Sequence, residues 1–120
     1  MEADDRERHE CDAAVGLAFT ILGKRWNGMI IDALGGGPLS FAALRRSVSG
    51  ISDAVLSDRL TELAEAVLVS RSVDPGPPVA VSYALTPGGA QLLPVLEQLG
   101  AWASEHLEAS PARERGTVSP

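Results

Sequence analysis

Cysteine is nearly absent. Cys11 is the single one in 120 residues, so no disulfide can form within the chain. Histidine occurs twice, at His9 and His106, and no His/Cys/Asp/Glu group has metal-ligand spacing, so neither a metal nor a cofactor is expected. Glycine is concentrated at Gly35-Gly36-Gly37, but this triplet ends an apolar run instead of opening a helix, which is not how a phosphate-cradling loop is built. No titratable pair suited to a cleft stands out, so no catalytic residue is assigned and an enzyme is not expected. Long apolar runs are missing as well: none approaches the roughly 20 residues that a membrane span needs. The N-terminal "MEADDRERHE" is too polar for a secretory signal, so a cytoplasmic protein with no membrane partner is expected.

What remains reads as one globular domain of ordinary composition, 45% hydrophobic and 22% charged. The formal net charge of −6 is unevenly spread. Glu2, Asp4, Asp5, Glu7, Glu10 and Asp12 outweigh Arg6 and Arg8 at the start of the chain. Between residues 23 and 50 the sign reverses, with Lys24, Arg25, Arg45 and Arg46 against Asp32 alone. Net acidity therefore does not exclude an anionic partner. Residues 1–10 are expected to be a flexible acidic arm, residues 11–107 a folded domain, and the Pro-, Ser- and Arg-rich residues 108–120 a flexible tail.

Hydrophobic periodicity organises the middle. Val15, Ala18, Phe19 and Leu22 predict a helix over 12–22, ended by Gly23. Trp26, Met29, Ile30, Ala33 and Leu34 predict a second, beginning at about Lys24 and stopped by Gly35–Pro38. Ser40 can cap a short third helix, Phe41–Val48, and Gly50 breaks it. Ser52 can cap a fourth, whose Leu56, Leu60, Leu63 and Val67 form one buried stripe. The period then changes to two: "VSRSVD" and "VAVSYALT", separated by "PGPP", predict a hairpin. Thr86-Pro87 opens a last helix to about residue 107, with a local kink at Pro94. The fold class is thus mostly α with a small β-hairpin: two helices about the tight "SVSGIS" turn, followed by a wing.

"GKRW", "GPLSFAALRRSVSGIS", "LSDRLTEL" and "VSYALTPGGAQLLPVL" occur in that order, and together they resemble the signature blocks of the HxlR-type winged helix-turn-helix regulators, relatives of the MarR-like group. The resemblance runs from about Cys11 to Leu107. It implies a homodimeric bacterial transcription factor that binds operator DNA and pairs through its terminal helices. Two symmetric reading helices would then sit one DNA turn, about 34 Å, apart, so double-stranded DNA with an inverted repeat is the expected partner.

On that footing, the N-terminal half of the fourth helix brings Ser52, Asp53, Ala54, Ser57 and Asp58 nearest the bases, with Arg59 in reach of a phosphate or a guanine edge. Ser40, Arg45 and Arg46 suit phosphates, and Lys24 and Arg25 are further candidates. Each has a bland alternative: Ser52 as a plain cap, Arg59 paired with Glu62, Arg45 and Arg46 on a solvated face. The sequence also departs from the family pattern. Where relatives commonly carry a basic residue near the helix start and an arginine after the wing prolines, it has Ala54 and Ala80, and "VDPGPPVAVSYALT" holds no Lys or Arg. That departure keeps a second reading open, a winged helix that binds protein instead of DNA. Cys11 admits two readings: an oxidant or electrophile sensor, as in related regulators, or a small residue at the dimer seam. Phe19, Trp26, Met29, Trp102 and His106 would line a pocket for a small-molecule effector, or serve as ordinary core.

Overall fold

A computed structural model describes the backbone of residues 2–107 and the side chains of residues 12–107; the expected tail 108–120 lies outside the described residues. The elements are α1 Glu2–Leu22, α2 Asn27–Ala33 followed by a 3-10 turn Leu34–Gly36, α3 Phe41–Ser47, α4 Asp53–Glu65, β1 Val69–Asp74, β2 Ala80–Leu85, α5 Pro87–Ala90 and α6 Leu92–His106. The chain divides into two compact units at Ala90/Gln91.

α1 starts ten residues ahead of the helix start read from apolar spacing, and Cys11 therefore lies within it and not before it. No Gly or Pro interrupts the chain before Gly16, and Glu, Ala and Arg are strong helix formers even without an apolar stripe. In α2 and the 3-10 turn after it the buried stripe is Asn27, Ile30, Ile31 and Leu34, each at most 2% exposed. The sequence had pointed to Trp26, Met29, Ile30, Ala33 and Leu34, a face turned by about one residue. The polar Asn27 hid the true phase. Lys24 and Arg25 accordingly fall in the turn before α2.

Leu44, Val48, Ile51, Leu56, Leu60, Leu63 and Val69 complete the core of the first unit, each such aliphatic side chain contributing about 1.5–3 kcal/mol by leaving water. The three leucines of α4 are the stripe expected from the sequence, but Val67 is 69% exposed and outside it. α4 stops at Glu65, so Val67 lies past the helix end with a φ of 60°. The turn between α3 and α4 closes at Gly50, whose φ of 93° an L side chain rarely adopts, and the edge of Trp26 covers it.

The wing is a two-stranded antiparallel ladder in which Val69 faces Leu85, Arg71 faces Tyr83 and Val73 faces Val81. Leu39 adds a one-residue bridge to Tyr83, its N–H donating to the Tyr83 carbonyl at 3.0 Å and its carbonyl accepting at 2.8 Å. The spacing of "GPLS" gave no strand signal for that residue. At the foot of the wing, the Thr86 hydroxyl donates to the Val67 carbonyl (2.7 Å) and accepts from the Gly89 N–H (3.0 Å), while the Thr86 N–H donates to Leu68 (3.1 Å). Gly89 is buried there, and a Cβ on it would overlap the Leu68 carbonyl oxygen. The last helix is not continuous from Pro87: it breaks at Gln91. Pro94 has no N–H for the Ala90 carbonyl, and its ring would crowd that oxygen, so the helix restarts one turn ahead of the proline. Within α6 no residue is buried; Val95, Leu99 and Trp102 are about half exposed.

Val67 is β-branched at a position where helices usually end in glycine. Val67→Gly should stabilise the fold by about 1 kcal/mol, read as a higher urea midpoint at unchanged slope; an equal or lower midpoint would contradict the strain.

Candidate nucleic-acid interface

α4 is set by its ends. Ser52 is its cap, the hydroxyl accepting from the Val55 N–H at 3.2 Å, and Ser40 caps α3 in the same way through Ala43 at 3.1 Å. Each cap satisfies an otherwise orphaned amide, an effect of about 1 kcal/mol. The two helices are then braced across the turn: Arg45 Nε lies 3.1 Å from Asp53 Oδ1, both side chains more than half exposed. Asp53 also stands in the first turn of α4, where the helix dipole favours an anion.

Asp53, Ala54, Ser57, Asp58 and Thr61 share the outward face of α4, and all are exposed. Asp58 and Glu62 hold Arg59 between them, with Arg59 Nη2 at 2.7 Å from Asp58 Oδ2 and Nη1 at 2.5 Å from Glu62 Oε1. The Arg59 side chain is only 15% exposed. Its pairing with Glu62, the plain alternative offered by the i, i+3 spacing, is thus present.

Glu62 is the junction that sequence reasoning missed. Its carboxylate also takes Lys24 Nζ at 3.0 Å and Asn27 Nδ2 at 3.2 Å. Asn27 Nδ2 lies 3.0 Å from the Ile21 carbonyl as well, so one buried amide joins the end of α1 to α4. The hydrogen bonds from Lys24 and then Asn27 hold the Glu62 carboxyl below the usual glutamate range; partial burial opposes them, and the charges of Arg59 and Lys24 reinforce them. Only the polar Asn at the head of an apolar stripe signalled this in the sequence.

The basic residues divide into two groups. Lys24, Arg45 and Arg59 are paired with acids, and Arg25 lies over the Trp26 ring, 4.6 Å from its centroid. Arg46, on α3, and Arg71, on β1, have no acid within ion-pair distance among the described residues, and both are exposed. The acids presented by α4 are therefore largely neutralised locally, and among the described residues Arg46 and Arg71, with neither an acid nor a ring contact, stay open to an outside anion.

The other expected sites are placed as follows. The backbone at Cys11 is helical, and its side chain lies outside the described residues. Phe19 and Met29 are about half exposed, and Trp26 is partly buried against Gly50. In the second unit Trp102 and His106 stack with ring centroids 5.4 Å apart, His106 Nδ1 lying 3.0 Å from the Trp102 carbonyl oxygen. None of these five lines the groove of about 510 Å³ that runs beside α4, which is bounded by Ser57, Thr61, Arg71 and Tyr83 among others. Among the described residues no His/Cys/Asp/Glu group could hold a metal ion, and no helix is long and apolar enough to cross a membrane.

A capped helix, braced on a shorter one across a glycine turn and followed directly by a two-stranded wing, defines a winged helix-turn-helix protein, the class that offers one helix to a DNA groove. A model of the HxlR-like helix-turn-helix family matches residues 21–111. The chain is 43% identical over 91 residues to the HTH-type transcriptional regulator YodB of Bacillus subtilis (strain 168), covering 76% of this chain and 81% of that protein. YvaP of the same organism, also an HTH-type transcriptional regulator, is 38% identical over 93 residues, covering 78% and 86%. Among solved structures, the reduced form of YodB superposes with a TM-score of 0.72 at 42% identity over 78% of this chain and 91% of that one; YodB has also been solved diamide-treated and quinone-bound. The oxidised form of the redox regulator HypR gives a TM-score of 0.73 at 27% identity, covering 80% and 99%. The chain belongs to the HxlR-like helix-turn-helix family, and it is a DNA-binding transcriptional regulator.

Because its pKa is depressed in the folded state, Glu62 adds stability above the ordinary glutamate pKa of about 4.3 and loses it as the pH falls through the lower folded value. Wild type should therefore exceed Glu62→Gln in urea stability at neutral pH, by about 1–3 kcal/mol, and the gap should close on acidification. A gap independent of pH would mean that the carboxylate charge is not what holds the junction.

Proposed function

We propose that two copies of this chain bind an inverted-repeat operator, each placing the N-terminal half of α4 in the major groove. The observation that carries this reading is the state of α4: capped at Ser52, braced by Arg45–Asp53, and bare along its outward face. Ser52, Asp53, Ala54, Ser57 and Asp58 would lie nearest the bases, where a serine hydroxyl suits several edges and a carboxylate suits only a cytosine amino group. Arg46, open to solvent, anchors the phosphate backbone beside Ser40 at the head of α3. Arg45 and Arg59 reach DNA only by exchanging an internal carboxylate for a phosphate.

Pairing is supported by apolar surface that a single copy leaves in water. Val15, Leu17 and Phe19 on α1 are 54–70% exposed, and Val95, Leu99 and Trp102 repeat the pattern along α6. The reading of a protein-binding winged helix draws on the uncharged wing tip, but it loses force because Asp53 and Asp58 already have arginine partners.

Release of DNA is proposed to follow oxidation or electrophile attack at Cys11. The relatives support this: structures of YodB after diamide treatment and with bound quinone, and of HypR in reduced and oxidised forms. A thiolate on Cys11 would be the attacking group: it would add to a quinone ring to give a sulfur adduct, or add to the N=N bond of diamide, after which the thiol of another molecule would displace the reduced hydrazine and leave a disulfide.

Mobility shifts on the chain's own promoter across a salt series test the DNA reading, because phosphate binding makes log K fall with log salt. Replacing Arg45 and Arg46 together by Ala should weaken cognate and random duplexes alike; unchanged affinity removes their phosphate role. Cys11→Ser should bind DNA normally and no longer release it with diamide or a quinone. If the variant still releases, the sensor lies elsewhere.

A further inference from the structure

The wing tip holds no basic residue, yet a groove of about 510 Å³ separates α4 from the wing strands and has one arginine in its wall. Arg71 and Tyr83 are opposite each other in the ladder, so their side chains leave the sheet on the same face, about 5 Å apart at Cβ. Val69 stands two residues earlier on that face and is buried, which turns the face toward the core and α4. Arg71 continues it just beyond the core, exposed, with no acid within ion-pair distance among the described residues.

The opposite wall belongs to α4. Ser57 and Thr61 lie on the outward face proposed to meet DNA and also line the groove. The Thr61 hydroxyl is spent on the Ser57 carbonyl at 3.0 Å, whereas the Ser57 hydroxyl keeps its proton to offer. Glu65, the acid in the lining, sits two turns further along α4, so the end of the groove near Ser57 is the less negative one. Tyr83 makes a rigid support, because its backbone is paired to Arg71 on one side and to Leu39 on the other.

We propose that Arg71, supported by Tyr83, grips a backbone phosphate of the DNA strand that borders the major groove entered by α4. The wing then contributes to DNA binding through its base and not through its proline tip. A single guanidinium suffices, since it offers paired N–H donors to a phosphate and carries a fixed charge. The assignment rests on the DNA-binding reading and adds a contact to it that the helix-turn-helix does not supply.

Fluorescence anisotropy on the promoter duplex, repeated across a salt series, tests it with wild type, Arg71→Ala and Arg71→Lys. Arg71→Ala should lower the slope of log K against log salt by about 0.9 per subunit. It should weaken cognate and random duplexes by the same factor, with an unchanged melting midpoint. Arg71→Lys should restore the slope and part of the affinity. An unchanged slope in a folded Arg71→Ala protein overturns the proposal, and so does a loss of affinity without a change of slope, which would make Arg71 a support of the wing. Salt-independent or absent binding by wild type would instead overturn the DNA reading itself, before any variant is compared.

Discussion

One carboxylate fixes the attitude of the presented helix. Glu62 receives a lysine from the turn after α1, an amide from the first residue of α2 and a guanidinium from its own helix. The stretch from Lys24 to Asn27, about 35 residues earlier in the chain, is thereby referred to a single point on α4. Leucines alone cannot do this, because an apolar stripe specifies which side of a helix is down and leaves its rotation and slide to packing. Hydrogen bonds to a charged group, partly withdrawn from water, are directional and stronger than those in solvent. Breaking one removes a directional partner from Arg59 or Asn27, which keep only Asp58 and the Ile21 carbonyl respectively, and that penalty helps make the geometry definite.

Ion pairs also cover the acids that α4 presents on its outward face. An acidic face looks ill suited to a polyanion, but Asp53 and Asp58 are already occupied by Arg45 and Arg59, and the field they project is that of a pair and not of a lone anion. On the proposed reading, attraction for phosphates falls to guanidinium groups that have no acid partner among the described residues, Arg46 on α3 and Arg71 on β1 among them. The Arg45–Asp53 pair, exposed on both sides, is worth about 0–1 kcal/mol, whereas Arg59 is largely enclosed. On the same proposed reading, the Arg45–Asp53 pair could be traded for a contact to a phosphate at little cost.

Much of this fold was legible because its signals are local. Ser40 and Ser52 announce caps, Leu56, Leu60 and Leu63 announce a stripe, and the switch from period four to period two announces the wing; the structure agrees on each. What escaped was set by tertiary contact. Asn27 is polar at a core position because distant partners accept from its amide nitrogen, although its Oδ1 is left without one, and that shifted the apparent phase of α2. Leu39 pairs with Tyr83 through one residue, too short a strand to leave a periodic trace. The break at Gln91 shows how far upstream a proline acts, since the clash falls on the carbonyl four residues before it. In the candidate site, Arg59 was visible as an arginine but its enclosure was not. Arg71 passed unremarked because only the ladder shows that it faces α4.

Thr86 has a consequence for how the wing can change. Its hydroxyl and amide join the exit of α4, the foot of the second strand and the start of α5 at one spot. The hairpin is thus anchored at its base, and the prolines and alanine at its far end are exposed. Charge, length and stiffness at that extremity are free to drift without disturbing the reading helix. A lineage can therefore retune how hard its regulator holds a chromosome by altering a few outlying codons, leaving the inner scaffold untouched.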